Sequence, residues 1–241
     1  MLAIAAVLGV WEILALFIPP LLFPSPFAVI RDGVVLAQRG ALTGPLLVSL
    51  REMYLGLLAA LLVGIVLGFA VARYQFVDAV FRPFIDFFNA TPLNVLIPML
   101  VIWVGVGLSA RLLFIAGLAV WPVLLNTAGG IRNVDKGYID VGRAFGLSER
   151  AVVWKILMRA ALPYIFAGVR LGIAMAIVGM IIGELEISEV GLGYLLDIYG
   201  GNFQIGNLLV VIFISSCVGT ANVIAASLIY RKWFSWAEFA K

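Results

Sequence analysis

Six stretches of the chain are apolar over the length a helix needs to cross a bilayer core, about 20 residues for roughly 30 Å. They fall at Leu2–Ile18, Met53–Ala72, Thr91–Leu108, Leu112–Ile131, Pro163–Gly183 and Asn207–Tyr230. In lipid, backbone N–H and C=O groups find no water, and a helix satisfies them within one segment. The expected fold is an all-α polytopic membrane protein with about six transmembrane helices. Composition agrees: 64% of the 241 residues are hydrophobic and 12% are charged, about half the charge of an ordinary soluble domain. Nothing in the pattern divides residues 1–241 into more than one domain. With no histidine and one cysteine, soft-metal clusters and Cys–His nucleophile pairs are excluded.

The first run is short enough to resemble a signal-peptide core. It lacks a basic leading region, however, and Pro19-Pro20 stand where small residues would mark cleavage. It is read as a span. The third run contains Pro92 and Pro98, so a bend is expected there. Orientation follows from basic residues in short loops. Arg132, Lys136, Arg143, Arg150, Lys155 and Arg159 lie between spans four and five, Arg73 and Arg82 between two and three, and Arg231, Lys232 and Lys241 after six. The opposite side holds Arg31, Arg39, Arg51 and Arg111, while the segment after span five has Glu184, Glu186, Glu189 and Asp197 without a Lys or Arg. Both termini are expected in the cytoplasm. Residues 19–50 are expected outside, with a short helix resting on the membrane surface.

Span two carries Gly56, Ala60, Gly64, Gly68 and Ala72 at four-residue intervals, and span five carries Gly168, Gly172, Ala176, Gly179 and Gly183. Each is a smooth stripe that lets another backbone approach. The stripes serve either packing within the bundle or a subunit interface. Cys217 reads as a small apolar residue of span six.

The loop of about 132–160, between spans four and five, is the most informative segment. Val134, Tyr138, Val141 and Phe145 follow the 4-3-4 spacing of one helical face. Gly146 suits a left-handed helix end, and Ser148 is placed to cap a second short helix. That helix carries Val152, Val153, Ile156, Leu157 and Ala160 on one face. Physically, the pair is either a docking projection or a loop lying on the membrane.

The loop resembles the EAA loop of ABC importer permeases, whose pattern is Glu-Ala-Ala, three residues, Gly, nine residues, Ile, any residue, Leu-Pro. Asp140-Val141-Gly142 stands for Glu-Ala-Ala, Gly146 and Ile156 match, and Met158-Arg159 departs from Leu-Pro, which recurs at Leu162-Pro163. Leu22-Phe23-Pro24-Ser25-Pro26, Ser49-Leu50-Arg51, the run from Pro98 through Trp103, Gly105 and Gly107 to Ser109, Asn126-Thr127, Gly168-Val169-Arg170 and Gly191-Leu192-Gly193-Tyr194 resemble the nitrate/sulfonate/taurine permease group. Related permeases import riboflavin or pyrimidines. The resemblance implies a type I ABC importer permease fold in the bacterial inner membrane, with cytoplasmic coupling helices between spans four and five. It implies ATPase-coupling roles for Asp140, Gly142, Arg143, Ala144, Gly146, Leu147, Ser148 and Ile156. It also implies as partners a cytoplasmic ABC ATPase dimer, a second permease subunit of the same or a related chain, an extracytoplasmic solute-binding protein and membrane lipid, and no nucleic acid. The chain has no Gly-x-x-x-x-Gly-Lys-Ser/Thr segment with which to cradle phosphates. No cofactor is expected on this chain, and ATP and Mg are expected on the partner ATPase.

Thr91, Asn94, Asn126 and Glu184 are the polar candidates for a pathway or gate, although Glu184 and Glu186 also read as solvated boundary residues. Arg170, about two turns into span five, is expected against loop carbonyls or a carboxylate. A secondary transporter is the competing reading; it would place ionisable groups deep in several spans, where this chain offers only Glu12, Arg170 and Glu184. A third reading, a non-transporting membrane subunit, stays open on physical grounds. The topology has a direct check. Cysteines placed at Ser148 and Gly200 should label from opposite faces, Ser148 only from the cytoplasm. Labelling of both from one side refutes this arrangement.

Overall fold

Among residues 2–233, which the computed structural model describes, every regular element is helical. Three long helices form the core: α3 (Thr43–Arg73), α6 (Leu108–Arg132) and α9 (Met158–Ile187). Both small-residue stripes turn toward α6. A Cβ added at Gly56 would lie 2.5 Å from Ile115 Cγ2, at Gly64 2.9 Å from Val123 Cβ, and at Gly68 2.7 Å from the Leu124 carbonyl. From the other side, a Cβ at Gly172 would lie 2.8 Å from Val123 Cγ2 and one at Gly179 3.0 Å from Ile115 Cα. The same α6 side chains therefore fill both grooves, and the stripes serve packing within the bundle. Ile115, Ala119, Val123 and Leu124 are fully buried as a result.

The other elements wrap this core. Helix α1 (Leu2–Phe17) is joined to the outer segment by the Trp11 indole N–H, which donates to the Pro24 carbonyl at 3.0 Å. Helix α2 (Pro26–Gln38) starts at Ser25, whose Oγ accepts from the Ala28 N–H at 3.3 Å, with Pro26 in the first turn. Both are ordinary start signals. A short helix is expected in this segment, and its Val29 and Leu36 share a buried cluster with Val210 and Val211 of α11 (Ile205–Trp233). Helix α10 (Leu192–Gly201) follows α9, and α7 (Lys136–Ala144) and α8 (Glu149–Val152) lie between α6 and α9.

Among the described residues four helices are long and apolar enough to cross a membrane: α3, α6, the rod Glu149–Ile187 and α11. The expected first span is the shorter helix α1, 16 residues. The expected third span, Thr91–Leu108, is not one straight helix. Helix α4 (Gln75–Ala90) meets the stretch Leu93–Val104 at a 100° bend, and that stretch is a 3-10 turn, Leu93–Leu96, followed by α5, Ile97–Val104. Pro92 explains the break: it disfavours the helical conformation for the residue before it, and Thr91 is extended at φ −94°, ψ 127°. Pro98 sits in the first turn of α5, where a missing N–H costs nothing; it opens a helix instead of bending one. Helices α4 and α10 were not expected from the sequence. The second expected helix of the loop is not separate either. Glu149–Val152 passes through a π-helical turn, Val153–Leu157, straight into α9. Lys241 lies outside the described residues.

The packing account makes a checkable statement. Gly64→Leu should destabilise the chain by about 1–3 kcal/mol, the usual cost of overpacking, because the added atoms meet Val123 and the Val120 carbonyl at 3.1 Å. Gly9→Leu, with nothing within 4 Å of the new Cβ, should leave monodisperse yield and thermal midpoint near the parent. Equal behaviour of the two variants in a thermal melt would show that the stripe has no special role.

Candidate functional site

The loop between α6 and α9 is built from local signals. Asp135 caps α7 by accepting from the Gly137 N–H at 2.8 Å. At the other end Gly146 takes φ +75°, its N–H donates to the Arg143 carbonyl at 2.9 Å, and the Leu147 N–H reaches the Gly142 carbonyl at 3.1 Å. That pair of bonds is the Schellman closure, which favours glycine at the left-handed position. Ser148 then caps α8 through its Oγ, which accepts from the Ala151 N–H at 3.3 Å.

Gly142 is buried, and a Cβ there would run into Ile156 Cδ1, with Leu147 and Val152 side chains 3.6 Å away. In place of the alanine of the resembled pattern it gives close contact with the α8–α9 rod. Arg143 reaches over the turn to Glu149, with Nε–Oε1 at 2.7 Å, and stands 3.9 Å from Asp140. Asp140, Ala144 and Ser148 are exposed. Three of the four spaced residues are exposed, Tyr138 at 63%, Val141 at 56% and Phe145 at 83%, while Val134 packs against the buried Ile131 and Leu157 cluster; Trp154 of the following turn is exposed at 63%. Three aromatic rings and a valine thus project from a braced two-helix platform. Behind it, Arg132 at the end of α6 pairs with Asp78 of α4 at 2.9 Å and donates to the Val71 carbonyl of α3 at 3.0 Å. The helix ends behind the platform are tied together.

Three pathway candidates come together. Thr91, Asn94 and Asn126 line one cleft of about 600 Å³ between α4, the bend, α6 and α9. Asn89, missed in the sequence, joins them. Backbone freed at a break inside a membrane is tolerated where it borders a cavity, and the Thr91–Pro92 break borders this one. Trp121 also lines the cleft; its ring stacks on Phe88 at 5.0 Å and its buried indole N–H has no protein partner. The Asn126 amide N–H donates to the Pro122 carbonyl at 2.8 Å, which fixes its side chain on the helix.

Glu184 is elsewhere. It is neither a solvated boundary residue nor part of this cleft, but fully buried. Its Oε2 accepts from Ser49 Oγ at 2.8 Å and from the Gly193 N–H at 2.9 Å, and Ser49 Oγ accepts in turn from the Leu192 N–H at 2.9 Å. Gly191, the residue before α10, has no side chain to cap that helix, so Glu184 and Ser49 satisfy its first N–H groups from outside. A carboxylate also suits the positive end of a helix. A Cβ at Gly191 would collide with the Glu184 carboxylate, and one at Gly193 with the Ile181 carbonyl. This accounts for the Gly-Leu-Gly sequence. Close by, Glu52 of α3 takes a bidentate pair from Arg111 of α6, at 2.7 and 2.6 Å. Opposite charges at the outer ends of two neighbouring spans were the available signal for that pair. Glu186 and Glu189 remain exposed.

Comparison with known proteins places this geometry. Residues 60–232 match the family model of the binding-protein-dependent transport system inner membrane component. A "Probable ABC transporter permease protein" of Haemophilus influenzae is 29% identical over 224 residues, covering 90% of this chain and 91% of the relative. The taurine transport system permease protein TauC of Escherichia coli is 29% identical over 204 residues, covering 82% and 74%. An inward-facing structure of the MetNI methionine ABC transporter superposes with a TM-score of 0.56 at 18% identity, covering 74% of this chain and 92% of that one. This last likeness is one of fold.

The buried staple generates a prediction. Ser49→Ala and Glu184→Ala should each lower stability by about 1–3 kcal/mol, because each leaves buried N–H groups of α10 unpaired. The double variant should cost clearly less than the sum, since both residues belong to one network. Strict additivity of the thermal shifts would contradict the arrangement.

Proposed function

Because the chain belongs to the family of binding-protein-dependent transport system inner membrane components, we propose that residues 133–160 are its docking element for a separate cytoplasmic ABC ATPase dimer. The single observation that carries this reading is the exposed face of Tyr138, Val141, Phe145 and Trp154. Its platform is fixed from behind by Gly142 against Ile156 and by Arg143 on Glu149. A membrane-lying loop has no need of such bracing; a surface that must transmit force does. Asp140 and Ser148 border the face and supply its polar rim, the arrangement typical of a protein interface.

The mechanical consequence follows from continuity. Helix α8 runs through the π-helical turn into α9, so a push on α7 and α8 moves one rod of 39 residues, Glu149–Ile187. At its far end Glu184 holds α10 and, through Ser49, α3. ATP-driven closure of the ATPases brings two such platforms together and turns the pathway outward; hydrolysis resets it. This is a rigid-body shift of packed helices. ATP and Mg belong to the ATPase, and a second permease subunit completes the pathway. The cleft of Asn89, Thr91, Asn94, Asn126 and Trp121 offers amide and hydroxyl groups without a fixed charge, suited to passing a small polar solute such as a sulfonate, nitrate, taurine or a vitamin-like molecule. An extracytoplasmic solute-binding protein delivers it to the outer face. Both termini and the docking element lie in the cytoplasm.

The test is Gly146→Val in the reconstituted complex. There is open space for the side chain, so sterics with neighbours are not at issue; φ +75° is. A β-branched residue there is strained by about 1–3 kcal/mol and re-aims α7 relative to α8. The variant should insert normally, yet lose most of its substrate-stimulated ATP hydrolysis. Asp140→Ala should weaken ATPase retention during purification more mildly. If Gly146→Val assembles and transports like the parent, this loop is not the coupling element.

A further inference from the structure

A groove follows the seam between α9 and α11, and its outer part shares Val178 and Ile182 with the edge of the cleft described above. Its outer part, about 650 Å³, is walled by Ala174, Ile177 and Ile181 of α9 and Val223 of α11. Its cytoplasmic end, about 360 Å³, receives Arg170 from α9 and Arg231 from α11, with Ser227 between them. Residues 170, 174, 177 and 181 are spaced 4-3-4, and 223, 227 and 231 are spaced by four, so each helix offers one face along the whole seam. Two guanidinium groups thus share one end of a largely apolar channel whose hydroxyl-bearing residues are Ser215, Ser216, Thr220, Ser227 and Tyr230. Among the described residues no carboxylate lines that end, and neither arginine has a hydrogen bond or ion pair. Among those residues the loop carbonyls or carboxylate expected at Arg170 are not found.

An arginine on a membrane helix without a counter-ion is costly and calls for an anion. Arg231 lies in the last, basic turn of α11, which places this end of the groove at the cytoplasmic headgroup level. Anionic lipids are concentrated in that leaflet, and basic clefts between helices on that side hold their headgroups. We propose that this groove binds an anionic phospholipid of the cytoplasmic leaflet. Arg170 and Arg231 hold its phosphate by charge-assisted bonds, and the apolar part of the seam takes an acyl chain. A soluble oxyanion would use the arginines and leave the 650 Å³ apolar part without a role; the lipid uses both.

The experiment uses the full chain, purified and placed in phosphatidylcholine nanodiscs with a graded fraction of phosphatidylglycerol. Retained lipid is counted by native mass spectrometry. The parent should retain phosphatidylglycerol over phosphatidylcholine. Arg170→Gln and Arg231→Gln should each weaken retention about fivefold and the pair about thirtyfold, as expected for one surface cation each. Arg159→Gln, on the same helix but outside the groove, should leave it unchanged. If the double variant fails to assemble, Arg231→Gln at the exposed helix end carries the test. Undiminished phosphatidylglycerol retention in the glutamine variants overturns the proposal. So does displacement of the lipid by inorganic phosphate at equal concentration, which would assign the arginines to a soluble anion. Disulfide trapping of Thr220→Cys between two copies in lipid-free preparations would assign the seam to a second copy, and overturns it as well.

Discussion

Helix α6 lies in two grooves at once, and the rest of the architecture hangs from that contact. In a bilayer the lipid tails are as apolar as the side chains, so helices gain little by leaving them for one another. What remains is close packing. Glycines on α3 and α9 let Ile115 and Val123 approach to distances that a single added Cβ would forbid. The same two α6 side chains fill both grooves, and α3 and α9 also meet directly, with Met53, Leu57 and Ala60 sharing one buried cluster with Ile173, Ala176 and Met180. Buried polar groups then fix the ends of this triple. Glu52 with Arg111 joins α3 to α6 at the outer end, and Arg132 joins α6 to α3 and α4 at the inner one.

Those end fixings give the long helices their functional meaning. The α9 rod begins in the loop platform and runs to Ile187, with Glu184 in its last turn bonded to the start of α10. Burying a carboxylate is costly; here Oε2 is bonded and stands in for the cap that Gly191 cannot provide, while Oε1 has no protein partner. Fixing both ends of the rod is what the proposed transmission along it requires. The bent pair α4–α5 is the contrasting element. Its break borders a cleft that collects three asparagines and a threonine.

The local parts of the site were readable from the chain. Gly146 and Ser148 act through hydrogen bonds to residues three positions away, and such spacings are visible in any sequence; Asp135 caps α7 by an equally local bond but was not expected from the sequence. Periodicity likewise identified Tyr138, Val141 and Phe145 as one face. It could not say that this face is exposed and that Gly142 and Ile156 form the packed one, since both faces of α7 carry apolar or small residues. Pro92 announced a bend, but its size depends on what α6 and α9 leave open beside it.

The sequence by itself determined that the chain crosses a membrane as helices, where the small-residue stripes run and where the cytoplasmic loop turns. Each of these follows from the solvent and from interactions within about one helical turn. The tertiary structure alone decided the state of Glu184. Beside Glu186 and Glu189 in an acidic segment it reads as a solvated boundary group, and only Ser49, 135 positions away, and the folded-back start of α10 make it a buried acceptor. The same holds for Thr91 and Asn126, which enter one cleft because two helices meet there. Burial is a property of neighbours brought from afar, and no spacing along the chain records it.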